Sequence, residues 1–288
     1  MRILVRRPPD EALEELSTAL LQEGHEVRTI ARKFNPDLVI ERYVPGHIAG
    51  AWFARRRGVR YCVMVDTPPR RPACLRRSEA ASASRRQAPL LERLIWRTAS
   101  HVLATTAALK EAIAALGVDP ENIDIAPGGV VPGRFLPAPF APTRAADAVV
   151  LGWIGRGQAP ATIAAPGLVL IVIAEVPPTR VPDLLAGIDI ALVAEPVTLR
   201  LLDCMAAGRA IVAPDCPETR ELLEHERTAL LFDPAEAGAL ARAAARLIAD
   251  APLRTHLGEA ARAELERRDL SWRSLARRLA GDEVAPLG

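Results

Sequence analysis

Strand-sized apolar runs alternate with helical periodicity twice along this chain. Between the two series stands Leu136-Pro137-Ala138-Pro139-Phe140-Ala141-Pro142-Thr143, with three prolines in eight residues. Strands that alternate with helices pair in parallel, because a parallel pair needs a crossover long enough to be helical. Prolines so closely spaced deny the backbone the N–H groups of a helix or an inner strand, so the segment reads as a linker. The pattern predicts two α/β domains, 1–136 and 146–270, joined by 137–145. A C-terminal helix and tail, 271–288, is expected to pack back on the first domain. The chain's 288 residues suffice for two domains of this kind. Each is expected to be a doubly wound, Rossmann-like parallel sheet, and the two are expected to face a cleft lined by the carboxyl ends of their strands.

In the first half, strands are expected at Ile3–Val5, Val27–Ile30, Asp37–Glu41, Val59–Val65, His101–Ala104 and Ile123–Ala126. Leu13, Leu16 and Leu20 share one face of a helix that Asp10 caps and Gly24 ends. Further helices fall at about Ile48–Arg56, Ala88–Arg97 and Thr106–Leu116. In the second half, the strands are Val149–Ile154, Leu168–Ile173, Ile188–Ala194, Ala210–Ala213 and Thr228–Phe232. Helices are expected at Val181–Ala186, Leu199–Ala207, Pro217–Glu224, Ala235–Ala249, Pro252–Arg268 and Trp272–Leu279.

Charge excludes one class of partner. With 37 basic against 35 acidic residues the net charge is +2, which provides no polybasic surface for nucleic acid. All basic residues but Lys33 and Lys110 are arginine, in a chain also rich in Ala and Pro, which reads as coding bias. Cys62, Cys74, Cys204 and Cys216 are widely spaced, so neither a zinc site nor a disulfide framework is expected. His25, His47, His101, His225 and His256 lack metal spacing. The apolar stretch at the N-terminus is too short for a signal peptide, and no window approaches a membrane span, so the protein reads as cytoplasmic. Six arginines between Arg70 and Arg86 mark either a solvated loop or a weak peripheral contact with an anionic membrane.

The chemistry-bearing stretch begins at Glu195, at the end of an apolar strand, and continues into a helix that carries Arg200 and Asp203 three apart, on one face. A helix N-terminus with an arginine suits a diphosphate, because free N–H groups and the dipole favour negative charge. A carboxylate one turn on can accept hydrogen bonds from ribose hydroxyls. The same spacing also fits an ordinary core helix with a solvated Arg and Asp. Asp215 and Glu218 around Cys216-Pro217 read as a helix capping box.

Glu195-x7-Asp203, followed by Cys204-Met205-Ala206-Ala207-Gly208-Arg209-Ala210-Ile211-Val212-Ala213, resembles the donor motif of family 4 glycosyltransferases, retaining enzymes of the two-Rossmann GT-B fold. The likeness extends through Arg220-Glu221-Leu222-Leu223, Thr228 to Phe232 and Leu257 to Arg262. In the first half it includes Gly24 to Val27, Pro36 to Tyr43 and Ile125-Ala126-Pro127-Gly128-Gly129-Val130. The resemblance implies that Glu195 contacts the donor sugar and that Asp203, in place of a glutamate, binds the ribose. It also implies that Gly155-Arg156 stands where an arginine neutralises the leaving diphosphate. A family lysine just beyond has no counterpart, and Arg200 is the residue placed to compensate. A nucleotide-sugar is the expected donor, the acceptor is unidentified, and no metal or other cofactor is expected.

Several positions depart from the family. Arg7-Pro8-Pro9 replaces a glycine pair near the phosphates. Asp66 replaces a cleft-lining histidine or asparagine, and either holds an acceptor hydroxyl or caps its loop. Between Gly155 and Asp189 only 33 residues intervene, enough for about one strand and one short helix. The second domain is therefore expected to be shortened by about one βα unit. These departures keep a second reading open, a non-catalytic GT-B protein that binds a nucleotide-sugar or a protein partner. A third reading, a nucleotide-sugar epimerase on the same fold, has no supporting motif.

Overall fold

A computed structural model of the chain describes residues 1–6, 11–66, 94–135, 149–155, 169–172, 176–194 and 198–281. The predicted linker 137–145 and the arginine-rich loop lie outside them, as does Asp10. The chain divides into two compact units, Met1–Pro127 with Trp272–Gly288, and Gly128–Ser271.

The first unit holds a six-stranded parallel sheet. Its strands are β1 (Arg2–Arg6), β2 (Glu26–Arg28), β3 (Leu38–Arg42), β4 (Arg60–Val65), β5 (His101–Ala104) and β6 (Ile123–Ile125), in the order β2-β1-β3-β4-β5-β6. Its helices are α1 (Glu11–Gln22), α2 (Ala49–Arg57) and α3 (Ala107–Ala114), with residues 94–98 also helical. α1 buries Leu13, Leu16, Ala19 and Leu20, the stripe expected from their spacing. Thr106 caps α3 by accepting from the Leu109 N–H at 3.2 Å. Val63, Val102 and Ile113 are fully buried, and Tyr43 and Trp96 stack beside them with ring centroids 4.9 Å apart.

The second unit holds five parallel strands among the described residues: β7 (Val150–Ile154), β8 (Val169–Val172), β9 (Ile190–Val193), β10 (Ala210–Pro214) and β11 (Leu230–Phe232). Their order is β11-β10-β9-β7-β8. Helices α4 (Val181–Ala186), α5 (Thr198–Ala206), α6 (Pro217–Arg220), α7 (Ala239–Ala249) and α8 (Ala251–Arg267) complete it. β7, β9 and β10 are buried along their whole length, as strands covered on both faces must be. The short stretch between Gly155 and Asp189 contributes, among the described residues, the edge strand β8 and the six-residue α4. Among the described residues its sheet is the smaller one, with five strands against six.

One device starts both sheets. Asp37, just before β3, accepts from the Arg2 N–H at 2.7 Å, and its own N–H donates to the Arg2 carbonyl at 2.7 Å. Asp189, just before β9, does the same with Val150, at 2.7 and 2.8 Å. Each aspartate thereby sets the register between the first strand of its sheet and the neighbour across the switch of strand order.

The last helix, α9 (Trp272–Ala280), belongs to the first unit. It buries Trp272, Leu275, Ala276 and Leu279, and its Arg273 and Arg277 both hydrogen-bond Glu23, just past α1, the second at 2.9 Å. Hydrogen bonds from Arg277 and Arg273 hold the Glu23 carboxyl below its usual 4.5. A depressed carboxyl pKa contributes stability that is present above the unfolded value and lost as pH falls through the folded one. The docking of α9 is therefore expected to weaken as pH drops below about 4.5, and Glu23→Gln is expected to flatten that part of the profile. Thermal unfolding of both proteins across that range checks it; parallel profiles would remove Glu23 from the linkage.

Candidate functional site

In the second sheet, strand order turns at β7, with β8 on one side and β9 on the other. Ligands of open α/β sheets bind outside the strand carboxyl ends at such a switch. Gly155 leaves β7 there and Ala194 leaves β9, with the Ala194 N–H donating to the Ile154 carbonyl at 2.9 Å. Gly155 has a φ of +153°, and a Cβ on it would lie 2.5 Å from the Ala194 Cβ, so only glycine fits. The two chain exits that lead to Arg156 and Glu195 are therefore adjacent. Arg156 and Glu195 themselves lie outside the described residues.

α5 follows Glu195 closely in the chain. Leu201, Leu202, Cys204 and Met205 are buried, and so is Asp203, while Arg200 is partly exposed. Arg200 donates to the Asp203 carboxylate at 2.8 Å; Asp203 is 7% exposed. The structure thus joins Arg200 to Asp203 directly, where the sequence assigned them to diphosphate and ribose in turn. Cys204, next after Asp203 and fully buried, has its thiol pushed well above the ordinary range, by burial first and then by the neighbouring Asp203. Cys62 is pushed up to about 12 by burial. Neither is a thiolate nucleophile at neutral pH.

The expected capping box at the next helix does not form. Cys216 occupies the N-cap of α6 without a side-chain cap bond, and the Asp215 carboxylate instead takes two hydrogen bonds from Arg220, one of them at 2.7 Å. The guanidinium fits both carboxylate oxygens at once, which a backbone N–H cannot do. Asp215, Arg220, His225 and Arg268 also line a cavity of about 590 Å³ beside β10 and β11. Its charged groups are engaged: Arg227 pairs with Glu224 at 2.7 Å, and Arg268 donates to the Glu221 carbonyl at 2.8 Å.

In the first sheet, Asp66 follows β4 and forms an ion pair with Arg42, the last residue of β3. Each is about one third exposed. The Arg42 contact is one that neither sequence alternative, hydroxyl binding or loop capping, contained.

Glu41 is a residue that the sequence reading passed over as part of a strand. It is 1% exposed, with Arg6, His47 and Tyr61 around its carboxylate. Two signals were available: a glutamate inside the run Leu38-Val39-Ile40-Glu41, and a glycine, Gly50, in the first turn of a helix. A Cβ on Gly50 would lie 2.0 Å from Glu41 Oε2. Gly50→Ala removes a glycine penalty of about 1 kcal/mol in a helix, yet overpacking against the buried Glu41 carboxylate costs about 1–3 kcal/mol. Net destabilisation is expected in urea unfolding; a gain in stability would show that the carboxylate moves aside freely.

No helix among the described residues is long and apolar enough to cross a membrane. The family model described as "Glycosyl transferase 4-like domain" matches residues 3–129, and that described as "Glycosyl transferases group 1" matches residues 135–250. No curated protein matches the sequence significantly. Among solved structures, Anabaena HepE in complex with UDP and glucose is similar at TM-score 0.70 and 16% identity, over 98% of this chain and 99% of that one. Sucrose-phosphate synthase from Thermosynechococcus elongatus follows at TM-score 0.68 and 14% identity, covering 97% of each chain. A putative UDP-N-acetylglucosamine 2-epimerase from Listeria monocytogenes shares the fold at TM-score 0.60 and 11% identity, over 97% and 94%. At these identities the likeness concerns the fold.

Proposed function

Because the chain belongs to the family 4-like glycosyltransferases of the GT-B fold, we propose that it moves a sugar, with retention and without a metal ion, from a nucleotide-sugar to an acceptor hydroxyl in the cytoplasm. The observation that carries this reading is the abutment of Gly155 on Ala194, which makes neighbours of the chain exits toward Arg156 and Glu195, with α5 close behind. In the reaction, the bond from the sugar C1 to the diphosphate breaks, and a bond from C1 to the acceptor oxygen forms on the same face. The acceptor's proton passes to the departing diphosphate. Arg156 and Arg200 stabilise the charge that develops there, Glu195 orients the sugar, and Asp203 holds the ribose. Asp66 stands on the acceptor side. Preorganised guanidinium groups supply the positive charge that a divalent cation supplies elsewhere.

HepE has been solved with UDP-glucose and with UDP and glucose, which makes uridine nucleotides the first donors to test. UDP is expected to raise the thermal unfolding temperature, since a ligand that binds only the folded chain stabilises it by mass action. Transfer from the matching UDP-sugar is expected to persist in EDTA. Activity lost to EDTA and restored by magnesium or manganese would overturn the assignment of Arg156 and Arg200. Stabilisation by nucleotides without transfer to any acceptor would favour the non-catalytic reading, in which Arg200 and Asp203 satisfy each other and bind without turnover.

A further inference from the structure

The first sheet has its own switch of strand order, between β1 and β3, and a buried charge stands at it. Glu41 pairs with Arg6 at the carboxyl end of these strands. A buried carboxylate persists only when partnered. The Tyr61 hydroxyl, itself buried, donates to Glu41 Oε2 at 3.0 Å, and burial together with that carboxylate raises the phenol far above its ordinary range. Oε1 faces Arg6 Nε at 3.6 Å and His47 Nδ1 at 3.2 Å. Yet among the described residues neither Oε1 nor Arg6 Nε makes a hydrogen bond of good geometry. Buried polar atoms left so are uncommon enough to need a reason.

His47 is delivered to this place by design of the local chain. Val44-Pro45-Gly46-His47 is a tight turn, closed by the His47 N–H on the Val44 carbonyl at 3.0 Å, with Gly46 at φ +82°. Proline before glycine is what a turn of this type selects. Behind the carboxylate, Gly50 leaves room that any side chain would fill. His47 remains 45% exposed, so one edge of its ring meets Glu41 while the rest is open to solvent. Nδ1 stands 3.2 Å from Oε1, and a carboxylate facing one ring nitrogen favours the proton there, which leaves Nε2 as an acceptor.

We propose that His47 is the group that hydrogen-bonds a hydroxyl of the sugar acceptor, and that Glu41 and Tyr61 are the positioning residues that set its tautomer. This rests on the transferase reading. His47 takes no proton in the reaction: its Nε2 accepts a hydrogen bond from the hydroxyl and orients the oxygen. Arg42, the nearest cation on β3, is already engaged by Asp66, so a neutral hydroxyl fits this edge through His47.

The test uses the full chain labelled with 15N, with the His47 ring signals assigned from the spectrum of His47→Gln and all imidazoles neutral. Wild type is expected to show the Nδ1–H tautomer, and Glu41→Gln to lose it. Tyr61→Phe, which keeps the carboxylate and its volume, is expected to weaken the bias without unfolding the chain. With UDP saturating, methyl α-D-glucopyranoside at about 100 mM, enough to fill a millimolar site, is expected to shift the His47 signals saturably. In Glu41→Gln the fitted affinity for the glucoside is expected to fall by about tenfold or more, as happens when a partner that orients a metal-ligating histidine is removed. An Nε2–H tautomer in wild type, identical spectra in Glu41→Gln, or no saturable shift with the glucoside would each overturn the proposal. UDP binding is read separately through thermal unfolding. Stabilisation by UDP with a silent His47 sinks this proposal alone, whereas a responsive His47 without UDP stabilisation sinks the donor reading alone.

Discussion

Glu195→Gln is expected to reduce sugar transfer by about 10²- to 10³-fold, the range for losing one preorganised polar contact to a transition state. Its affinity for UDP is expected to stay close to wild type. The two measurements separate because Glu195 is proposed to meet the sugar and not the base, ribose or phosphates. The residue before it, Ala194, packs against Gly155 at the strand switch. Glutamine keeps the size and one acceptor oxygen but removes the charge, so the loss reports on electrostatics rather than on packing. Turnover is measured with the UDP-sugar, and affinity by calorimetry with UDP. Equal losses in both would make Glu195 a structural residue of the loop, and unchanged turnover would remove it from the site.

Arg200→Ala is expected to weaken UDP binding by roughly 1.5–3 kcal/mol, the worth of a hydrogen bond to a charged partner. That corresponds to a factor of about 10 to 150 in Kd. The ion pair with Asp203 adds a second consequence. Asp203 is 7% exposed, and without Arg200 its carboxylate keeps the burial while losing the cation at 2.8 Å. Arg200→Ala is therefore expected to lower stability as well as affinity. Adding Asp203→Asn is expected to restore part of the stability but none of the affinity, so the double mutant departs from additivity in one measurement only. Calorimetry with UDP and urea unfolding of the two single variants and the double variant decide it. Full UDP affinity in Arg200→Ala would move the diphosphate elsewhere.

The donor segment shows why some of this was readable beforehand. β7, β9 and β10 announce themselves as continuous apolar runs, and α5 carries Leu201, Leu202 and Met205 at helical spacing. Each signal lies within one segment, where period and propensity act on neighbouring residues. The smaller second sheet was legible by length alone, because 33 residues between Gly155 and Asp189 cannot hold two further strands with their helices. Helix ends were less legible. α6 stops at Arg220, short of the expected Glu224, where the backbone tightens with the Leu222 N–H on the Thr219 carbonyl and continues through turns to Thr228.

The polar contacts show the opposite. Asp66 finds Arg42 from a different strand, and Asp215 prefers a guanidinium to the helix N-terminus beside it. The cluster at Glu41 draws on β1, β3, β4 and the turn before α2, four places that no spacing rule connects. The sequence by itself determined the alternation of elements and the i, i+3 placement of Arg200 and Asp203. It did so because these properties follow from local periodicity. Only the tertiary structure decided that β7 lies against β9, that Gly155 meets Ala194, and that Glu41 is buried beneath His47. Parallel strands acquire their neighbours through crossovers, so the pairing is chosen by how the helices cover the whole sheet, and each side chain's partners follow from that choice.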